Sequence, residues 1–205
     1  MLDMSLYLVT ARYAYSDEKF FSIIDEACRS GVTIVQLREK DVTTRRLFDL
    51  AIKVKQITDR YHVQLIIDDR IDICLAVEAS GVHIGDDEMP IDISRKLLGP
   101  DKILGVSAKT VERAKYAEQF GADYLGTGAI FPTETKVITK HTDIRTLDEI
   151  TKSVDIPVVA IGGINTSNVG SFSNIPIAGV AVVSEIMKSK NVSQTVSELK
   201  TTINK

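Results

Sequence analysis

The hydrophobic positions along the chain follow two alternating patterns. Short runs rich in Val, Ile and Leu recur, and amphipathic stretches of helical length separate them, which predicts alternating strands and helices. The runs typical of strands buried on both faces are Leu6 to Thr10, Thr33 to Arg38, Gln64 to Asp69, Gly81 to Gly85, Ile103 to Ala108, Asp123 to Ala129, Pro157 to Gly163 and Gly179 to Ser184. The clearest helix runs from Thr43 to Tyr61, with an apolar face formed by Leu47, Leu50, Ala51, Val54 and Ile57.

Start and stop signals mark several of the helices. Ser16 precedes two acidic residues and offers an N-cap, and Gly31 follows the last apolar residue of that stretch. Thr110 opens another helix, which Gly121 closes. Because eight parallel strand–helix repeats close naturally into a barrel, the predicted fold is α/β, a (β/α)8 TIM barrel with residues 1–205 as a single domain. A doubly wound open sheet is the alternative, but no Gly-x-Gly-x-x-Gly turn follows the first strand.

Composition and charge narrow the classes of function. The chain has 205 residues, 44% of them hydrophobic and 26% charged, which suffices for one sizeable core. A net charge of −3 provides no basic field for nucleic acid, so any anion site must be built locally. No signal peptide or membrane-span run is recognisable, and Cys28 and Cys74 fit a reducing compartment. We therefore expect a cytoplasmic protein without nucleic-acid or membrane partners; a homo-oligomer is left open.

Basic side chains cluster at the end of the second predicted strand. In such a barrel the site lies where the strands end, and alternation places Gln36, Arg38 and Lys40 on one side of this strand. An inward Arg and Lys at the rim suit phosphate oxygens, so they predict an anion site. A salt-bridged barrel interior is the alternative. The third strand ends in Asp68 and Asp69, whose side chains alternation would send to opposite sides.

The fourth strand ends in three consecutive acids, Asp86, Asp87 and Glu88. Acidic groups at neighbouring strand ends, opposite a basic site, predict a Mg2+-bridged polyphosphate site, because Mg2+ prefers oxygen ligands and takes few of them from protein. A solvated acidic loop is the alternative. His83, on the same strand, is interpreted as a hydrogen-bonded residue of the barrel interior rather than a catalyst.

Two further segments predict a phosphate-bearing substrate. The loop after the sixth strand, Gly126 to Lys136, combines glycines, a proline, hydroxyls and a lysine, and these groups supply donors to phosphate oxygens. The seventh strand ends in Gly162 and Gly163, and the eighth in Val183 and Ser184. Paired glycines let a ligand approach the backbone, and these two loops form the recurring phosphate cradle of barrel enzymes. The pattern predicts a phosphorylated substrate without specifying which one.

An ordered set of motifs resembles the thiamine-phosphate synthase family. The segments that carry the resemblance are Leu6 to Thr10, Gln36 to Lys40, Asp69 to Asp72, Gly81 to Gly85, Gly105 to Ser107, Ala122 to Gly126, Phe131 to Lys136, Ala160 to Ile164 and Gly179 to Ser184. They occur in the family's order and with nearly its spacing, from about residue 6 to residue 186. No single motif is decisive, but the ordered set is specific.

The resemblance implies a transferase that joins hydroxymethylpyrimidine diphosphate to hydroxyethylthiazole phosphate with the help of Mg2+ and releases pyrophosphate. Carried over by position, the residues that would bind the pyrimidine diphosphate are Gln36, Arg38, Lys40, Asp68, Ser107 and Lys136. The thiazole phosphate would be held by Thr133, Glu134, Thr135, Gly163, Val183 and Ser184. The implied metal ligands are Asp69 and Glu88, with Asp86 or Asp87 as the alternative to Glu88. The implied catalytic set is Arg38, Lys40, Ser107 and Lys136.

Three positions depart from the family's pattern, and three other functions compete. Asp68 stands where the family usually has Asn, Glu88 where it has Asp, and Lys109 where it commonly has His.

A thiazole tautomerase, an isomerase on the same fold, typically carries His where this chain has Ala129. The basic set on the second strand argues against another phosphate-binding barrel isomerase. The changes at positions 68 and 88 are the support for a non-catalytic barrel that binds thiamine precursors.

Overall fold

Strands and helices alternate along the chain and close into a barrel. The computed structural model describes residues 2–133 and 142–203. Within those ranges eight parallel strands pair in chain order, and the last pairs with the first. The strands are β1 (Leu6–Val9), β2 (Ile34–Leu37), β3 (Gln64–Asp68), β4 (Gly81–Ile84), β5 (Ile103–Ser107), β6 (Tyr124–Thr127), β7 (Val158–Ile161) and β8 (Gly179–Val182). The helices are α1 (Asp17–Ser30), α2 (Thr44–Arg60), α3 (Ile71–Ala76), α4 (Ile91–Leu98), α5 (Val111–Gln119), α6 (Ile144–Thr151), α7 (Ser184–Met187) and α8 (Val192–Ile203), with a 3-10 helix at Val169–Phe172.

The predicted (β/α)8 TIM barrel is confirmed, and pairing between β1 and β8 excludes an open doubly wound sheet. Each strand ends one or two residues before the end of the run that predicted it. Residues just beyond the strands, such as Arg38 and Asp69, lie in the loops of the barrel mouth, and Ser184 begins α7. The predicted runs therefore extend one or two residues beyond the paired strands.

Alternation along the strands separates two apolar layers. Leu6 and Leu8 of β1 belong to the layer between barrel and helices, whereas Tyr7 and Val9 point into the barrel. The interior layer consists of Met4, Tyr7, Val9, Ile34, Ile66, Tyr124, Val159 and Ala181. Because successive strand residues face opposite sides, one short run supplies both layers.

The predicted helix signals coincide with the observed helix ends. The apolar face expected between Thr43 and Tyr61 is the buried face of α2. Ser16 caps α1 by accepting a hydrogen bond from Lys19 N at 3.3 Å, and Thr110 caps α5 in the same way. Gly31 ends α1 at φ 108°, a left-handed conformation that glycine adopts without strain.

Both cysteines lie in helices. Cys28 in α1 and Cys74 in α3 are buried and free. Burial raises the pKa of Cys28 to about 12 and that of Cys74 to about 11, so both thiols stay protonated and unreactive. Across residues 2–133 and 142–203, no helix combines the length and apolarity needed to cross a membrane.

Gly179→Ala is expected to destabilise the barrel. A Cβ at this position would overlap backbone atoms of Met4 and Ser5, which cannot move without displacing the start of β1. We expect the free energy of unfolding in urea to fall by about 2 kcal/mol or more. In the matched control, Gly170→Ala, the new Cβ would meet only Thr202 Cγ2 at 3.7 Å and should change stability little. Equal urea midpoints for the two variants would contradict the close packing of Gly179 against the backbone of Met4 and Ser5.

Candidate active site

A cavity of about 490 Å3 opens at the carboxyl ends of the strands. This is where barrels of this fold carry their active sites. The cavity brings together the following residues predicted from the sequence: Gln36, Arg38, Lys40, Asp68, Asp69, Glu88, Ser107, Thr133, Gly163, Val183 and Ser184. The remaining predicted site residues, Glu134, Thr135 and Lys136, lie outside the described residues.

Carboxylates from two neighbouring strand ends converge on the ammonium group of Lys40. Lys40 Nζ pairs with Asp69, lies 3.2 Å from Asp68 Oδ2 and lies 3.9 Å from Glu88 Oε1. Arg38 Nε lies 3.7 Å from the same oxygen of Asp68. Because these acids surround one positive charge, their arrangement fits a cation in the cavity mouth. The basic residues predicted at the end of β2 therefore contact the acidic residues at the ends of β3 and β4 directly.

The prediction that Asp68 and Asp69 face opposite sides is wrong, because both carboxylates reach Lys40 and both line the cavity. Asp68 is the last residue of β3 and keeps the inward direction that alternation gives it. Asp69 has φ 62°, a left-handed conformation that is uncommon for a residue with a side chain. Its backbone N–H donates to His83 O at 2.8 Å. This turn brings the Asp69 side chain to the same side as that of Asp68.

The acidic loop after β4 is ordered by two contacts that separate its members. Glu88 Oε2 accepts a hydrogen bond from Gly85 N at 2.8 Å, which brings the side chain back toward Lys40. Asp86 instead pairs with Arg113 Nε of α5 at 3.2 Å. Of these two acids, Glu88 is therefore the one aimed at the carboxylate cluster.

The donor set fits a hard cation that takes much of its coordination from elsewhere. In the part of the chain that the structure describes, no group of three or more His, Cys, Asp or Glu side chains is arranged to hold a metal ion. Asp69 and Glu88 nevertheless both approach the Lys40 ammonium, so two carboxylates already share one positively charged neighbour. Mg2+ usually keeps several waters and binds through one or two carboxylates plus substrate phosphates.

Asp68 has an unusual charge state. Its pKa is raised to about 6, because burial and then the neighbouring charge of Asp69 raise it, while Lys40 and Arg38 lower it by less. Its carboxyl group therefore titrates close to neutral pH. In the protonated form, Asp68 is neutral, as is the Asn that usually occupies this position in the family it resembles.

A continuous chain of hydrogen bonds crosses the barrel interior beneath the charged cluster. Gln36 Nε2 donates to Tyr7 Oη at 2.8 Å, and Tyr7 Oη lies 2.8 Å from Tyr124 Oη. Tyr124 Oη lies 3.0 Å from His83 Nδ1, and His83 Nε2 lies 3.0 Å from Ser107 Oγ. Burial lowers the pKa of His83 to about 4, so its ring is neutral at ordinary pH. His83 is thus a hydrogen-bonded interior residue, as predicted.

The sequence reasoning missed Tyr7 and Tyr124, both of which line the cavity. They occupy inward positions of β1 and β6, and their side chains are 2% and 1% exposed. Strand alternation marks both positions as inward. Within an apolar run, however, a tyrosine cannot be distinguished from an ordinary core residue until its hydroxyl partner is known.

Glu39 supports the end of β2 from the other side. It points away from the cavity and accepts a hydrogen bond from Arg12 Nε at 3.3 Å. Arg12 also pairs with Asp17 at 2.8 Å and stacks over the Phe20 ring at 3.9 Å from its centroid. These contacts anchor the segment that carries Arg38 and Lys40. Because successive residues face opposite sides, Arg38 and Lys40 face the cavity and Glu39 faces the residues that hold the segment in place.

The loops after β7 and β8 are joined at the opposite rim. Gly162 and Gly163 have φ of 101° and 65°, so both adopt the left-handed conformation that glycine favours. Glu185, one residue after Ser184, accepts hydrogen bonds from Thr166 N at 3.0 Å and Thr166 Oγ1 at 2.9 Å. The two loops predicted to cradle phosphate are therefore fixed relative to each other.

Comparison with known proteins finds relatives that span nearly the whole chain. The sequence family described as thiamine monophosphate synthase matches residues 6–186. A thiamine-phosphate synthase from Lacticaseibacillus paracasei is 57% identical over 199 residues, covering 97% of this chain and 93% of that protein. One from Enterococcus faecalis is 57% identical over 196 residues, covering 96% and 92%. The solved thiamine phosphate pyrophosphorylase from Pyrococcus furiosus has a TM-score of 0.88 at 36% identity, covering 99% of this chain and 96% of that one.

Asp68→Asn is expected to stabilise the metal-free protein above pH 6. The folded pKa of Asp68 lies near 6, against 3.8 for an ordinary Asp, so the ionised carboxylate destabilises the fold at higher pH. Removing that charge should raise the free energy of unfolding by roughly 3 kcal/mol. The gain should shrink as the pH falls from 6 towards 3.8, where both folded and unfolded states hold the proton. Urea unfolding across this range measures it.

The matched control for this prediction is Asp72→Asn. Asp72 is paired with Arg70 Nη2 at 2.6 Å, and this contact lowers its pKa. Its replacement should therefore give no gain above pH 6. A loss of stability for Asp68→Asn at high pH would mean that pairing with Lys40 and Arg38 outweighs the burial of the charge.

Proposed function

The chain belongs to the thiamine monophosphate synthase family, and on that premise we propose that it joins hydroxymethylpyrimidine diphosphate to hydroxyethylthiazole phosphate. Members of this family are transferases, and the chain is a transferase. Thiamine phosphate and pyrophosphate are the products of the proposed reaction. The observation that carries the proposal is the meeting of Arg38 and Lys40 with Asp69 and Glu88 in one barrel mouth.

The basic residues at the end of β2 bind the diphosphate in this proposal. Arg38 offers a planar fork of N–H donors that matches phosphate oxygens, and Lys40 adds a compact positive charge. Both residues line the cavity and contact carboxylates there. An arriving diphosphate supplies oxygens of the same kind, so it can take over these contacts. Gln36, Asp68 and Ser107 lie beside them, and Lys136 enters the set from the sequence resemblance.

Mg2+ is the proposed cofactor, held by Asp69 and Glu88. When bound, Mg2+ neutralises charge on the diphosphate oxygens and so makes pyrophosphate a better leaving group. Support comes from the convergence of both carboxylates on the Lys40 ammonium, which is itself a cation. The paired Asp86 is less suited, because Arg113 already holds its carboxylate.

The chemistry needs stabilised charge rather than a strong base. The bond between the methylene carbon and the diphosphate oxygen breaks, and its electron pair leaves with pyrophosphate. The electron-rich aminopyrimidine stabilises the methylene cation, and the thiazole nitrogen then donates its lone pair to form the new carbon–nitrogen bond. Arg38, Lys40 and Lys136 stabilise the charge that develops on the departing group. A neutral His83 and two buried, protonated thiols agree with this route.

The thiazole phosphate is proposed to bind at the opposite rim, against the loops after β7 and β8. Gly163, Val183 and Ser184 line the cavity there, together with Thr133. Backbone N–H groups and hydroxyls are suitable donors for a phosphate monoester. The sequence resemblance adds Glu134 and Thr135 to this set. Substrates held at opposite rims face each other across the barrel mouth, where the new bond must form.

An isomerase of the thiazole tautomerase type has less support. Such an enzyme needs an acid–base group at the end of β6, where this chain has Ala129. Ala129 lines the cavity but carries no group that can transfer a proton. A non-catalytic precursor-binding barrel is the remaining alternative, and turnover distinguishes it from the synthase.

We also propose that residues 1–205 act as one catalytic domain in the cytoplasm. The chemical support for a reducing compartment is the pair of free, buried cysteines, Cys28 and Cys74. All described strands belong to one closed sheet, so the cavity depends on the whole barrel.

Turnover tests the proposed function directly. The purified protein, given pyrimidine diphosphate, thiazole phosphate and Mg2+, should form thiamine phosphate, detected as fluorescent thiochrome after oxidation. Asp69→Asn should lower kcat about 100-fold, because a metal-ligating carboxylate is lost. Lys136→Ala should also lower it sharply. Asp72→Asn, the same substitution at an exposed acid of α3, should leave turnover unchanged. If folded wild-type protein binds thiazole phosphate but forms no product, the proposed synthase activity is refuted.

Arg38→Lys tests how the diphosphate is held. The substitution keeps the positive charge but removes the planar fork that matches phosphate oxygens. We expect the KM for pyrimidine diphosphate to rise about tenfold, while the KM for thiazole phosphate stays the same. Equal rises in both values would assign Arg38 to the general shape of the mouth instead of to one substrate.

A further inference from the structure

We propose that Tyr124 is a positioning residue that acts through His83 to turn the Ser107 hydroxyl hydrogen into the cavity. The proposal rests on the function proposed above, because it assigns the partner of that hydrogen to a lone pair of the pyrimidine diphosphate. It starts from the hydrogen-bond chain of Gln36, Tyr7, Tyr124, His83 and Ser107, in which each oxygen or ring nitrogen lies within 3.0 Å of the next group.

The direction of the chain is set at its buried end. Gln36 is 5% exposed, and its amide N–H donates to Tyr7 Oη at 2.8 Å. Tyr7, which is 2% exposed, must therefore donate its own hydrogen to a different atom. Tyr124 Oη lies 2.8 Å away and can accept it. Tyr124 then donates to His83 Nδ1 at 3.0 Å.

This direction fixes the ring of His83 and, through it, the Ser107 hydroxyl. An Nδ1 that accepts a hydrogen bond leaves the ring hydrogen on Nε2 of the neutral imidazole. Nε2 then donates to Ser107 Oγ at 3.0 Å. Because Ser107 Oγ already accepts this bond, its own hydrogen is free to donate into the cavity that Ser107 lines.

The reverse direction leaves a buried group unsatisfied. If Ser107 donated to His83, then His83 would donate to Tyr124 and Tyr124 to Tyr7. The Tyr7 hydrogen would then face the Gln36 amide N–H, which is another donor. A buried donor without an acceptor is strongly disfavoured. With the Gln36 amide nitrogen facing Tyr7 Oη, as the structure places it, only the direction that ends at Ser107 satisfies every buried donor.

The orientation has a chemical consequence for substrate recognition. Ser107 presents a donor, so the group it meets must be an acceptor. The acceptor is either a ring nitrogen of the pyrimidine or an oxygen of its diphosphate. A compound that offers an N–H at this point would place two donors together and bind poorly.

NMR of nitrogen-15-labelled protein without substrate tests the direction. The chain has three histidines, so few ring signals overlap, and a His83→Gln variant identifies the signal of interest. Wild-type His83 should carry its hydrogen on Nε2. Tyr124→Phe removes the donor to Nδ1 and should give a mixture of tautomers. Tyr7→Phe removes an equal buried hydroxyl one step earlier, leaves the bond from Tyr124 to His83, and should keep the wild-type tautomer.

Kinetics test the link to Ser107. Tyr124→Phe should lower kcat/KM for pyrimidine diphosphate about tenfold, with an unchanged KM for thiazole phosphate. Ser107→Ala should lower it at least as much, and adding Tyr124→Phe to Ser107→Ala should have no further effect, because both act through one hydrogen bond. Weaker binding of inorganic pyrophosphate by Ser107→Ala would identify a diphosphate oxygen as the acceptor. Weaker binding of the unphosphorylated pyrimidine alcohol would identify the ring.

Two results would overturn the proposal. One is a wild-type His83 with its hydrogen on Nδ1, and the other is strict additivity of the Tyr124 and Ser107 variants. Failure of the proposed function is distinguishable, because the tautomer is measured without substrate. If the expected tautomer is found but there is no turnover, the proposed synthase activity fails. Binding of pyrophosphate and of the pyrimidine alcohol then still decides whether Ser107 donates to a ligand.

Discussion

Closure of the sheet between β1 and β8 is the constraint on which the site depends. The register pairs Tyr7 with Ala181, residues from the first and last strands, and parallel pairing directs every strand end to the same mouth. Groups separated by many residues therefore meet there, as Lys40 of the second loop meets Glu88 of the fourth. A tight strand entry at Gly179, where only hydrogen fits against the β1 backbone, belongs to the same closure.

The ion pairs at the barrel mouth follow from the cost of burying charge. Charges removed from water need partners, and in this mouth they find them in one another: Lys40 in Asp68, Asp69 and Glu88, and Arg38 in Asp68. The balance is incomplete, since burial and the charge of Asp69 outweigh Lys40 and Arg38 and leave the pKa of Asp68 raised to about 6. Such a site suits the diphosphate and Mg2+ that we propose for it.

Polar groups inside the barrel connect this chemistry to the fold. The interior layer is apolar near its base, yet it carries two tyrosines whose hydroxyls are satisfied by Gln36, by His83 and by each other. Each of the five members of the chain lies on a strand, so their geometry is set by strand register and not by mobile loops. A rigid polar chain of this kind can fix the direction of a single hydroxyl at the surface of the cavity.

The sequence by itself determined the strands, the inward and outward faces of each, the barrel, and, through its ordered motifs, the family. It also placed Gln36, Arg38 and Lys40 on the cavity side, because the two-residue period of a strand is a local property. Only the tertiary structure decided that Asp69 turns back beside Asp68, that Glu88 rather than Asp86 approaches Lys40, and that Tyr7 meets Tyr124. Those outcomes depend on backbone turns and on the register between distant strands, which no local pattern of hydrophobic and polar residues contains.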